Sequence, residues 1–190
     1  PLFAGLAERG EPNARIWMIK HPAFHGETVQ IRREVLHRWY RALITENSEG
    51  EFMREVIEEL AGSPKRLGEE FILAMLVEIP EHCQNSEFIA ASIYHQALLL
   101  LKGKKDPERK REAIELMNIL VAGYPESKDS AMAAGILFGV ESLALRKALH
   151  EWCDTCRASL AEGVAPADWP ENPIHQFPSH MVPLGAAGSE

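Results

Sequence analysis

Three features of this chain predict an all-α fold. Strong helix formers dominate its 190 residues, and runs of β-branched residues are few. Apolar residues recur three and four apart through most of the sequence before Gly163. At Ser63-Pro64 and Asp106-Pro107 a capping side chain precedes a proline, the arrangement that opens a helix. Together these predict about seven helices followed by an extended, proline-rich C-terminal segment.

The first stretch, to Gly26, carries the weakest pattern. Arg15 to Lys20 fits either a short strand or a helical turn, and His21-Pro22-Ala23-Phe24-His25-Gly26 reads as a loop. From Glu27 to Ile44 the pattern is helical, with Val29, Leu36, Trp39 and Leu43 on one face and Arg32, Arg33, Arg38 and Arg41 on much of the rest. A polar break leads to a helix from Glu51 to Leu60, striped by Phe52, Val56, Ile57 and Leu60. The helix opened by Ser63-Pro64 is apolar over most of its girth through Ile79, so it is expected to be central, with Pro80 marking its end. Asn85 or Ser86 caps the next, which runs to Lys102 and contains the apolar run from Ala97 to Leu101. Asp106-Pro107-Glu108 starts another, closed by Gly123-Tyr124-Pro125. A last helix begins at Ser127 or Asp129 and reaches His150, with a continuation or bend into Trp152 to Ala161. Beyond Gly163 the prolines at 166, 170, 173, 178 and 183 are too dense for a helix.

One spacing in this pattern points further. Ala113, Met117 and Pro125 stand at the A, F and P places of an A-x₃-F…P pattern, and Ala134-Gly135-x₂-Phe138 fills an L-G-x₂-Y place after it. Over residues 86–148 the chain thereby resembles the tetratricopeptide repeat, a helix–turn–helix unit. It departs where the first helix lacks Trp, and where Lys147 and Ser159 occupy the next A and P places. The resemblance implies a helical hairpin array or superhelical bundle in which Ala113, Met117, Pro125, Gly135 and Phe138 pack helix on helix. The domain expectation is one helical domain over 1–162 and a proline-rich tail over 163–190, with Trp169, Phe177 and Met181 as apolar anchors that dock the tail on a surface.

Candidate chemistry is sparse. Cys153-Asp154-Thr155-Cys156 is a C-x-x-C preceded by His150, and His82-Cys83 would supply the second pair of ligands for a metal. Against that, Leu149, Cys153, Cys156 and Leu160 fall on one helical stripe, where cysteine serves as a small apolar residue. The stripe is the expected reading, with His82, Cys83, His150, Cys153 and Cys156 as the metal alternative. His21 and His25 are a weaker pair. No Gly-rich phosphate loop and no serine nucleophile elbow occurs, so no cofactor and no catalytic residue are expected.

Charge narrows the partner classes. A net charge of −8 argues against a phosphate backbone as the principal ligand. A nucleic-acid regulator would have to use Arg32, Arg33, Arg38 and Arg41 with Trp39 and Tyr40. No apolar stretch reaches the length of about 20 residues that spans a bilayer. Three cysteines in a chain this long are no disulfide framework, which suits a reducing, cytoplasmic setting. The sequence opens at Pro1, which leaves room for a targeting segment removed before it. The expected function is non-catalytic: a scaffold, adaptor or chaperone-like module that binds a peptide or partner helix in a helical groove and is open to homo-oligomerisation. The alternatives are a small helical metalloprotein or enzyme accessory subunit, and then a nucleic-acid-binding regulator.

Overall fold

Local capping and apolar periodicity generate nine α-helices among the described residues of the computed structural model, which are 2–21, 33–102, 106–163, 165, 168 and 170–176. They are α1 (Leu2–Glu8), α2 (Pro12–Lys20), α3 (Arg33–Glu46), α4 (Met53–Gly62), α5 (Pro64–Leu67), α6 (Glu69–His82), α7 (Ser86–Lys102), α8 (Pro107–Gly123) and α9 (Lys128–Ala161). A 3-10 turn follows at Pro173–Gln176. The fold is all-α, and among the described residues there is no strand. No helix is long and apolar enough to cross a membrane among those residues.

The ambiguous Arg15–Lys20 segment is helical, as part of α2. Pro12 occupies its first turn, where a missing N–H costs nothing. The helix read as one piece from Ser63 is two. Gly68, at φ +90° and ψ 135°, separates α5 from α6 in a conformation that side chains with a Cβ rarely adopt. Pro80 does not end α6. The helix continues to His82, because the carbonyl that Pro80 leaves without a donor, that of Leu76, accepts a bond from Gln96 Nε2 of α7 at 3.1 Å. The start of α8 follows the sequence closely. Asp106 Oδ1 accepts from the backbone N–H groups of Glu108 and Arg109.

The chain divides into two compact units, Pro1–Ala134 and Gly135–Glu190, with the division inside α9. In the first unit the core joins α1 to α7. Tyr40, Leu43, Ile44, Met53, Ile57, Leu60, Ile72, Met75 and Leu76 are fully buried there. Helix α7 packs on α4, α6 and α8, and Ala90, Ala91 and Ala97 bring it close to its neighbours. In the second unit the remainder of α9 carries one buried line, Leu145 and Cys156 with Trp152 half-buried between them. The chain after Gly163 returns beside it, and Trp152 Nε1–H donates to the Pro170 carbonyl at 2.8 Å. The tail anchors Trp169, Phe177 and Met181 lie outside the described residues, as do His25 and Arg32.

Candidate functional site

Polar chemistry in the first unit concentrates where the first turn of α9 meets α4 and α7. Ser127 Oγ accepts from the Ser130 N–H at 3.0 Å and so caps α9. Asp129, two residues on, is 1% exposed. Its carboxylate faces the Arg54 guanidinium of α4 through both oxygens, with Nη2 3.1 Å from Oδ1 and Nη1 3.0 Å from Oδ2. Arg54 Nε donates to Glu58 at 3.2 Å, and Glu87 of α7 stands 3.8 Å from Nη1. His95 borders this group. Burial lowers its pKa from the ordinary histidine value, and the positive charge of Arg54 acts in the same direction. Three carboxylates around one guanidinium make a joint between helices, in which the buried Asp129 Oδ2 is held by charge alone and accepts no hydrogen bond.

The repeat-packing residues are only partly brought together. Ala113 and Met117 are buried in α8, with Leu120 one turn on. Pro125 lies in the turn between α8 and α9. Gly135 and Phe138 do not pack. A Cβ built on Gly135 meets no described atom within 4 Å, and Phe138 is 55% exposed. The small residue of α9 that is buried is Ala133. The close approach expected at Gly135 is therefore made two residues earlier, on the side of α9 that also carries Asp129 and Ser130.

The cysteine stripe is corrected in register. Cys156 is buried but Cys153 is exposed, because the covered line of α9 runs Leu145–Trp152–Cys156, not Leu149–Cys153–Cys156. Cys83 is buried at the end of α6, its thiol donating to the Ser48 carbonyl at 3.4 Å, and burial pushes its pKa up, which disfavours the reactive thiolate. His150 Nδ1 lies 3.1 Å from Asp154 Oδ2, and Arg157 binds the other oxygen at 2.7 Å. Among the described residues no three His, Cys, Asp or Glu side chains gather as metal ligands. The alternative set of His82, Cys83, His150, Cys153 and Cys156 is thus not assembled there.

Helix α3 does not present a nucleic-acid surface of the kind that interleaves basic and aromatic side chains. Trp39 and Tyr40 face the core, 3% and 1% exposed. Arg33 donates to the carbonyls of Lys65 and Arg66, and Arg38 pairs with Glu8.

A feature that sequence spacing did not single out is the apolar surface in the second unit. From Gly135 to Leu145 the only charged residue is Glu141. Phe138 and Leu143 are 55% and 67% exposed, and a Cβ on either Gly135 or Gly139 meets no described atom within 4 Å. Phe138 and Leu143, five residues and so about 140° apart around α9, leave large apolar side chains bare on two sides of the helix beside two glycines. The sequence signal was the low charge of this run, in which the repeat resemblance implied that Gly135 and Phe138 pack helix on helix. No family model matches the chain, and no curated protein or solved structure matches it either.

Proposed function

We propose that this protein is a non-catalytic interaction module that binds a partner helix or peptide through the apolar surface of α9, in the manner of a scaffold or adaptor. The observation that carries this reading is the exposure of Phe138 and Leu143, each more than half exposed, on a run with one charge in eleven residues. Uncovered, such side chains forgo about 1.5–3 kcal/mol each that burial would provide. An apolar helical face of this kind is recognised by anchors at i, i+3, i+4 and i+7 on a partner helix. The buried Ala113 and Met117 in α8 support a tetratricopeptide-like hairpin as the scaffold for that face, although Gly135 and Phe138 are used for the surface rather than for internal packing.

Selection from a displayed library of helical peptides tests the proposal. The expected outcome is enrichment of sequences with that anchor spacing and loss of their binding in Phe138→Ser/Leu143→Ser. A library that enriches nothing, or ligands indifferent to both substitutions, would overturn it.

A further inference from the structure

Helix α9 is held at both ends and bare in the middle. At its start Ser127, Asp129, Ser130 and Ala133 are buried, and Asp129 pairs with Arg54 of α4. In its later turns Leu145 and Cys156 are buried, and Trp152 holds the Pro170 carbonyl. Side-chain pairs also brace those turns: Lys147 with Glu151, His150 with Asp154, and Asp154 with Arg157. From Ala134 to Ala144, about three turns, no residue is buried. Glu141 is the one charge in this stretch, and no basic residue stands three or four positions from it on either side.

The bare stretch is also a poor helix former. Gly135 and Gly139 stand four residues apart, and each weakens a helix interior about fourfold to fivefold relative to alanine. A glycine within a helix is usually explained by a close neighbour or by a left-handed backbone. Neither applies here. A Cβ on either residue meets no described atom within 4 Å, and neither has a positive φ. The β-branched Ile136 and Val140 and the backbone-competing Ser142 weaken the stretch further. A helix of this length is marginal in water without packing, so its turns persist by propagation from the two held ends. The division between the two compact units falls at the same place, between Ala134 and Gly135.

We propose that the turns around Gly135 and Gly139 are a hinge between the two units. The helix opens locally over residues 135–139, the parts on either side stay helical, and each unit turns about the opening as a body. Low local stability follows from three coincident features: two glycines, no burial and no bracing pair. The glycines then have a role that packing does not give them. The hinge concerns motion alone and does not depend on what α9 binds.

Amide exchange across α9, in the parent and in Gly135→Ala/Gly139→Ala, tests this. Opening 135–139 frees the amides of 135–143, because each N–H bonds the carbonyl four residues earlier. In the parent these amides are expected to be far less protected than those of 147–158. In the double variant their protection should rise about twentyfold, with 147–158 unchanged. Equal protection of 135–143 in the two proteins overturns the hinge. So does high protection there that fades on dilution, which would make the glycines a contact between copies. A second measurement reads the motion of the units. Cys153 is exposed whereas Cys83 and Cys156 are buried, so nitroxide labels can be placed at Cys153 and at the exposed position 112 in Glu112→Cys. The distribution of distances between the labels should be broad and should narrow when both glycines become alanine. A distribution that the alanines leave unchanged, narrow or broad, overturns the proposal.

Discussion

Replacing Gln96 with leucine would leave the Leu76 carbonyl without its donor in the interior, since Pro80 offers no N–H to it. An unmet buried acceptor costs about 1–3 kcal/mol, so Gln96→Leu should lower the unfolding free energy by that amount. In a Pro80→Ala background the new backbone N–H supplies the bond, and the same substitution should cost measurably less. Additive effects in denaturant titrations of the four proteins would refute the pairing. Two other residues divide the repeat resemblance. Ala113 is fully buried, so Ala113→Leu should destabilise by about 1–3 kcal/mol through overpacking. Gly135 meets nothing, so Gly135→Ala should be neutral or should stabilise by up to about 1 kcal/mol, because alanine is the better helix former. A loss of melting temperature in Gly135→Ala would restore the packed-glycine reading. Ala113 and Gly135 looked alike in the sequence because spacing places a residue on a face, while the presence of a neighbour on that face is decided elsewhere in the chain.

Among the elements, those with local signals were legible and those decided by distant partners were not. Asp106-Pro107 opened α8 as expected because the cap and the proline act within one turn. Helices α1 and α2, of 7 and 9 residues, are too short to show a period. The break at Gly68 was hidden inside an apolar run, and α6 outlasted Pro80 through a side chain sixteen positions away. The first turn of α9 is an element-scale joint made by Arg54 and Asp129. Arg54→Met would strand a buried carboxylate, at about 3 kcal/mol, the lower end for such losses because Arg54 keeps over a quarter of its surface in water. Chemical denaturation of Arg54→Met against Arg54→Met/Asp129→Asn checks it: the double variant should recover part of the loss. His95 makes the same joint sensitive to acid. Its folded pKa is lowered from the ordinary 6.5, so the native state disfavours the proton that the unfolded chain accepts. Its contribution to stability is complete above about pH 6.5 and is lost as the pH falls through the unfolded and then the folded value. Unfolding free energy measured from pH 8 to pH 5 should therefore fall more for the parent than for His95→Gln.

For the whole molecule, composition was enough to give the all-α class, while the candidate site was mostly hidden. Low charge from Gly135 to Leu145 was visible, but the same pattern describes a core helix, and nothing in a linear string tells a covered face from a bare one. Because Phe138 and Leu143 are exposed, Phe138→Ser/Leu143→Ser should change the folding free energy by no more than about 0.5 kcal/mol while abolishing peptide binding. A large drop in thermal stability on that double substitution would mean the surface is part of the fold.

The Leu76–Gln96 bond also orders events in time. A helix normally completes itself from its own backbone, residue by residue, before it finds a neighbour. Helix α6 cannot do so past Leu76, because the donor its last turn requires arrives on α7. On a growing chain the segment from Ile79 to His82 must therefore wait, its end frayed, until the residues of α7 have been made and have docked. The end of one helix is thus a product of tertiary assembly, and hydrogen exchange after the start of refolding would find it protected together with α7 rather than with the rest of α6.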